Sequence, residues 1–387
     1  MNNFIVIILD GVGVGELPDA INYQDEGSNT LSNLATAVGG ILLPNLESLG
    51  LGNIIPIMGI NPQINPRASF GKLAEKSKGK DSTTGHWELG GIITEKEFPV
   101  YPNGFPADVI NKFLSETKMK GYLANYASSG TKIILQLGDD HIRTGFPIIY
   151  TSADSVFQIA AHEDVISLER LYEICMITRK KVMVGDHEVG RIIARPFIGS
   201  TGNYSRTTNR KDFSVDPPSK TILNFLKDEG IETIAIGKIN DLFNYNGITT
   251  QIKSKSNIEG IQAIIKAAQE KSNSLIIANL VDFDVYYGHR NDPVGFANAL
   301  KEFDDNLPNI LACLKESDRL ILTADHGNDP TTPSTDHSRE YVPLLFYKVS
   351  SGGKNIGVRS SFADVAQTIA HFFKVNNNLR GISFLND

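Results

Sequence analysis

The chain has 387 residues, a formal net charge of −7, 41% apolar residues and 21% charged ones. That length exceeds what one hydrophobic core usually organises, so two domains, or one domain with a large insertion, are expected. The ordinary composition excludes fibrous and disordered classes, and the acidic balance argues against a general nucleic-acid or membrane-surface binder. A small phosphorylated ligand remains compatible, because a few placed arginines suffice to hold one.

The first element is the apolar run Phe4 to Leu9, read as a buried strand. It is too short for a membrane span or a signal-peptide core, and no basic region precedes it. With only two cysteines, Cys175 and Cys313, far apart and in no CxxC context, neither a disulfide framework nor a zinc ribbon is expected, and a cytoplasmic location fits. Asp10 follows the strand, with Gly11, Gly13 and Gly15 behind it. A dinucleotide fingerprint fails here, since Glu16 takes the last glycine position and Pro18 follows. Two readings stay open for Asp10: a turn aspartate, or a carboxylate placed at a strand's carboxyl end, where open α/β sheets bind ligands.

Gly79 to Glu88 reads GKDSTTGHWE and is no P-loop, because Asp81 separates Lys80 from the first hydroxyl. Ser82 then stands near a helix start. It is either a helix cap or a hydroxyl where the helix N-terminus favours an anionic phosphoryl group.

From about residue 97 to 215 the pattern changes to scattered strands, among them Lys132 to Leu137 and Gly190 to Arg195, and polar turns such as Gly199 to Asn203. This stretch reads as an inserted domain, 97–215, within a core formed by 1–96 and 216–387. Its arginines, Arg191, Arg195, Arg206 and Arg210, are of the type that grips phosphate, although most lone arginines are solvated surface residues.

After residue 216 strands and helices alternate, the mark of a parallel sheet covered by helices. A capped helix is expected over Ser219 to Asp228, ended by Gly230, then a strand Ile231 to Ile236 with Lys238 just past it. A helix around Ile258 to Lys271, a strand Leu275 to Leu280, a helix Pro293 to Lys315 and a strand Leu320 to Thr323 follow. Leu344 to Tyr347 is strand-like, and Phe362 to Phe373 is an amphipathic helix with serines before it.

Asp282, Asp284 and His289 follow one of these strands; Asp325, His326 and His337 follow another. Together with Asp10, three clusters sit just past strand ends, which matches the mixed nitrogen and oxygen ligand set of a metal pair better than three unrelated buried Asp-His contacts. Two such metals could polarise a phosphoryl group while Ser82 supplies the nucleophile.

The runs LDGVGVGELPDA, GKDSTTGHWELGG, YTSADSVFQIAAHED, GRIIARPFIG, YSRTTNRKDFS, IAIGKINDLF, NLVDFDVYYGHRND and LTADHGNDPTTPSTDHSREYVPLL resemble, in order and across nearly the whole chain, the phosphopentomutase family of the alkaline phosphatase superfamily. The resemblance implies an α/β fold: an alkaline-phosphatase-like core with a mainly parallel sheet flanked by helices, plus an inserted α+β cap. It implies two manganese ions, one held by Asp10, Asp325 and His326, the other by Asp284, His289 and His337, with Ser82 at the phosphorylated position. It places Ser152, Asp154, Arg191, Arg206 and Lys238 around the sugar phosphate.

The reaction implied is interconversion of ribose 1-phosphate and ribose 5-phosphate, and of the 2-deoxyribose equivalents, in nucleoside salvage. A pentose or hexose bisphosphate is implied as activator. The partner is then a small phosphosugar, with neither nucleic acid nor membrane. The family usually has threonine where Ser82 stands and serine where Gly11 stands; both changes are shared in spirit with cofactor-independent phosphoglycerate mutase, a serine-using relative. A phosphatase or phosphodiesterase built on the same groups, and a sugar-phosphate sensor without catalysis, are the alternative functions.

Overall fold

The computed structural model describes residues 2–152 and 154–387. The chain folds as two compact units, one formed by the residues up to Lys96 together with Pro217–Asp387, the other by Glu97–Asp216. In chain order, β1 (Phe4–Leu9) and β2 (Ala68–Leu73) belong to the first unit. The strands β3 (Leu123–Ala127), β4 (Ile148–Thr151), β5 (Val156–His162), β6 (Arg191–Ser200), β7 (Asn203–Arg206) and β8 (Lys211–Ser214) belong to the second. The chain then returns with β9 (Glu232–Ile236), β10 (Thr250–Ile252), β11 (Ser274–Leu280), β12 (Arg319–Thr323), β13 (Val342–Lys348) and β14 (Asn355–Arg359).

The first unit is built on an eight-stranded sheet in the order β10-β9-β11-β1-β12-β13-β2-β14. From β10 to β12 all neighbours are parallel, whereas β13 runs antiparallel to both β12 and β2. The continuous apolar run of β1 follows from its central place: helices cover both faces, so all six residues are buried and no polar alternation survives. Each such side chain contributes about 1.5–3 kcal/mol by burial. Because β1, β11 and β12 are in register and parallel, residues just past Leu9, Leu280 and Thr323 emerge at one edge of the sheet. The chemistry-bearing residues lie there.

The second unit carries a six-stranded mixed sheet in the order β3-β4-β5-β6-β7, with β8 pairing β6. Its core is lined by Phe105, Phe113, Phe157, Ile192 and Phe213.

Several element boundaries differ from the sequence reading. Lys132 to Leu137 is not a strand but part of the helix Gly130–Thr144. The pair Ile133-Ile134 suggests β structure, yet Ser129 caps the helix by accepting from Lys132 N, and Ile133, Ile134 and His141 are buried at helical spacing. The helix expected from Ser219 begins at Ile222, with Thr221 as its cap in a reciprocal contact with Asn224. The long helix ends at Ala312 rather than Lys315. Gly199 to Asn203 does form a turn, the tight connection between β6 and β7.

The segment that carries Ser82 is fixed by buried charge. Glu88 is fully buried and accepts from Lys76 N, Ser77 N, Ser361 Oγ and Phe362 N at 2.6–3.1 Å. Arg339, also buried, bonds Glu75 Oε2 at 2.6 Å, the Gly79 carbonyl at 2.7 Å and Asp19. Hydrogen bonds to charged groups contribute about 1.5–3 kcal/mol each when complete, so these two side chains set the loop between β2 and the Ser82 helix in one conformation.

Candidate active site

Ser82 is the first residue of the helix Ser82–Leu89. The cap is Asp81, whose side chain accepts from Thr84 N at 3.1 Å and from Thr84 Oγ1 at 2.6 Å. The Ser82 hydroxyl is therefore not used for capping. It lies instead 3.1 Å from His326 Nε2. Gly85, on the same helix, packs so closely against Asp325 that a Cβ would collide with the Asp325 carbonyl oxygen. Only glycine lets the nucleophile's helix approach the strand end this far.

Two groups of side chains converge beside this hydroxyl. Asp10, Asp325 and His326 bring one ligand atom each within 4.8 Å of one another, and so do Asp284, His326 and His337. His326 thus stands between the two groups. His289, half-buried, sits outside the second group but points Nε2 at Asp284 Oδ2, 3.2 Å away. Lys238, past β9, reaches Asp10 Oδ2 at 3.1 Å. Gly11 bonds Asp325 Oδ1 through its amide at 3.3 Å, and its φ of +79° is a left-handed conformation that favours glycine.

The three imidazoles share one device. His326, His337 and His289 direct Nδ1 to the backbone carbonyls of Gly327, Lys80 and Thr335, at 3.0, 3.0 and 2.7 Å. With the Nδ1 proton donated there, Nε2 presents a lone pair to the cluster. Those lone pairs face carboxylate oxygens at 3.1–3.5 Å: Asp325 and Asp10 for His326, Asp284 for His337. Two acceptors cannot face one another without positive charge between them. Asp10 Oδ1, Asp325 Oδ2 and His337 Nε2 are buried with no hydrogen-bond partner among the described residues. This donor set, of hard oxygens and neutral imidazoles without thiolate, fits a divalent cation.

Without a cation, a proton on the imidazole supplies that positive charge instead. Burial pushes the His326 and His289 imidazoles down, but the facing carboxylates outweigh it and hold them up at about 10 and about 9. Burial, and then the neighbouring Asp325, raise the Asp10 carboxyl. Burial would raise Asp284 and Asp325 as well, but His337 and His326 respectively hold them well below the usual range. Burial lowers Lys238, and Asp10 more than restores it.

Four of the five expected sugar-phosphate residues, Ser152, Asp154, Arg191 and Arg206, belong to the second unit. Ser152 lies past β4, half-buried, and Asp154 is exposed with a carboxylate 3.7 Å from Arg191 Nη2. Arg191 opens β6 and also approaches Asp212 at 3.8 Å. Arg206 ends β7 and is exposed. Lys238, in the first unit, stands in the carboxylate cluster.

Two supporting residues were not singled out from sequence. His86 is buried one turn after Ser82; its Nδ1 donates to the Ser82 carbonyl at 2.7 Å and lies 3.1 Å from Asp325 Oδ2. Its spacing of four from Ser82 on a helix was the available signal. Asn328 donates from Nδ2 to Asp284 Oδ1 at 2.7 Å, holding that carboxylate from the Asp325-His326 segment. No sequence spacing announces a contact across 44 positions.

Residues 2–377 match the metalloenzyme superfamily. The chain is 55% identical over 386 residues to a phosphopentomutase of Acetivibrio thermocellus, covering all of this chain and 99% of that one. It is 56% identical over 388 residues to a phosphopentomutase of Dictyoglomus turgidum, covering all of this chain and 98% of the relative. Among solved structures, the PH0037 protein of Pyrococcus horikoshii superposes with a TM-score of 0.50 at 12% identity, covering 98% of this chain and 99% of that chain. That likeness concerns the fold alone.

Proposed function

The chain belongs to the metalloenzyme superfamily and, within it, to the phosphopentomutases, and from that premise we propose that it works through a phosphoenzyme at Ser82 and a pentose bisphosphate intermediate. Its core is an alkaline-phosphatase-like α/β fold, and it is a metal-dependent isomerase interconverting pentose 1- and 5-phosphates. The finer reading concerns which residues act, which metal serves and where the reaction sits. It comprises two manganese ions, ribose and 2-deoxyribose phosphates as substrates, activation by a pentose or hexose bisphosphate, and a cytoplasmic role in nucleoside salvage. No helix among the described residues is long and apolar enough to cross a membrane.

One observation supports Ser82 above the neighbouring hydroxyls. Its Oγ, freed from capping by Asp81, lies 3.1 Å from His326 Nε2, whereas Thr84 Oγ1 is held by Asp81 and Thr83 is buried. In the first half-reaction the bond between Ser82 Oγ and phosphorus breaks and the sugar hydroxyl takes the phosphoryl group. Its proton ends on Ser82. In the second half-reaction the bisphosphate gives its other phosphoryl group to Ser82, whose proton ends on the freed sugar oxygen.

Asp10, Asp325 and His326 would hold one cation, and Asp284, His289 and His337 the other. Divalent cations there supply Lewis-acid charge to the phosphoryl oxygens. The chain's own contribution is position: the Gly85 contact brings the helix against Asp325, and the three Nδ1 bonds fix the imidazole faces. Lys238 offsets the charge of Asp10. Replacement of threonine, the family's usual residue, by Ser82 preserves the hydroxyl.

Incubation with a sugar bisphosphate followed by tandem mass spectrometry tests the assignment. The phosphate is expected on Ser82; its recovery on Thr83 or Thr84 would move the nucleophile.

A further inference from the structure

Gly13 and Gly15, which form no dinucleotide fingerprint, lie against a buried carboxylate. Gly15 donates its amide to Glu340 Oε2 at 3.0 Å, and Glu340 is 1% exposed. Thr30, the first residue of the helix Thr30–Ala37, donates its amide to the same oxygen at 2.9 Å and its hydroxyl to Oε1 at 2.7 Å. The Ser338 hydroxyl also donates to Oε1, at 2.7 Å. A Cβ at Gly13 would collide with Oε2 and one at Gly327 with Oε1, and a carboxylate held by these bonds has no room to yield. All of these donors are neutral. A buried carboxylate with only neutral partners costs more than an apolar side chain would, which marks a requirement beyond packing.

The partners of Glu340 lead to the ligand groups. Each hydroxyl that donates to it accepts a backbone amide in turn: Thr30 Oγ1 that of Asn328 at 3.1 Å, Ser338 Oγ that of Asp329 at 3.3 Å. Asn328 then donates Nδ2 to Asp284 Oδ1 at 2.7 Å. Gly327 and Ser338, the residues after His326 and His337, exchange backbone bonds of 3.1 and 2.8 Å. The turn that begins at Asp10 is paired to Tyr341, Val14 N donating to its carbonyl and its amide donating to Gly15 O, both at 2.8 Å. One carboxylate thus ties together the segments that carry Asp10, His326 and His337, and it reaches Asp284 through Thr30 and Asn328.

We infer that Glu340 is a positioning residue of the divalent-cation centre: its charge orients the two hydroxyls and the segments they hold, so that the carboxylates and imidazoles of both ligand groups face one another. The role rests on the ligand groups proposed above. Charge is the essential property. Glutamine has the same shape, but an NH2 turned toward Thr30 Oγ1 and Ser338 Oγ leaves two hydroxyl protons without their acceptor. The opposite orientation aims that NH2 at the amides of Gly15 and Thr30.

The test is competition of a chelator for manganese on the full, manganese-loaded chain, with free manganese read by electron paramagnetic resonance and thermal melting followed in parallel. Glu340→Gln is expected to weaken manganese binding about tenfold to a hundredfold. Thr30→Val, which removes one hydroxyl of the relay, is expected to weaken it about tenfold, and Thr30→Ser, which keeps the hydroxyl, to restore most of that loss. Asp304→Asn controls for stability, because Asp304 is a buried carboxylate that accepts from the amides of Asn45 and Leu46 instead. It is expected to lower the melting temperature yet hold manganese within about twofold of native. Asp284→Asn, which alters a ligand itself, should lose at least as much affinity as Glu340→Gln.

Manganese affinity within twofold of native in Glu340→Gln overturns the role, and so does an equal loss in Asp304→Asn, which would mark a general effect of stability. Should Glu340→Gln fail to fold, the Thr30 pair decides: Thr30→Ser as weak as Thr30→Val overturns the relay. Affinity that depends on Asp284 but not on Glu340 removes the positioning role alone. Affinity unchanged in Asp284→Asn removes the ligand groups together with the role built on them.

Discussion

Ser82→Ala is expected to lower the rate of pentose phosphate interconversion about ten-thousandfold or more and to end phosphoryl incorporation, because no other hydroxyl occupies its place. The fold should not suffer. Asp81 rather than Ser82 caps the helix, and among the described residues the Ser82 hydroxyl's side-chain hydrogen bond is to His326. The expected stability change is within about 1 kcal/mol, measured by urea denaturation. Ser82→Thr should retain activity, since the hydroxyl is kept and threonine is the family's usual residue here. Incorporation of phosphate into the alanine variant at the native level would show that another group carries the chemistry.

Chelation is expected to have an effect as large. Removing the divalent cations should abolish turnover and lower the melting temperature by several degrees, and adding manganese should restore both. The second readout follows from the structure. Asp10, Asp284 and Asp325 are buried together, with Asp10 Oδ1 and Asp325 Oδ2 lacking any hydrogen bond among the described residues. A cation that binds the folded chain alone stabilises it by about 2.7 kcal/mol at a hundred times its dissociation constant. Manganese should serve better than softer metals, because oxygen and imidazole donors dominate. Full turnover after rigorous chelation would sink the metal scheme.

The strand ends were legible because a buried parallel strand leaves a plain signature. Phe4 to Leu9 is an uninterrupted apolar run, Leu275 to Leu280 and Leu320 to Thr323 are apolar apart from the buried Asn279 and Thr323, and the residue types following each are those that bind metals and phosphates. Where the periodicities of helix and strand overlap, the sequence misleads. Lys132 to Leu137 has the β-branched content of a strand, and the decisive signals were the Ser129 cap and the buried His141 a full two turns on.

Sharing within the site was also hidden. The sequence order separates Asp284 from His326 and His337, yet the parallel register of β1 with β11 and β12 brings their strand ends together and places His326 within reach of both carboxylate groups. His86 and Asn328 escaped notice for a related reason. Each does its work by holding another side chain, and nothing in a linear pattern distinguishes such a residue from an ordinary core histidine or turn asparagine.

The central claim is that this metal-dependent site moves a phosphoryl group between two positions of one sugar without giving it to water. Phosphorus NMR of the native chain with manganese, ribose 1-phosphate and a catalytic amount of sugar bisphosphate tests it directly. The account predicts that the ribose 1-phosphate signal is replaced by that of ribose 5-phosphate with almost no inorganic phosphate. Stoichiometric inorganic phosphate, with no ribose 5-phosphate formed, would contradict it and make the chain a phosphatase.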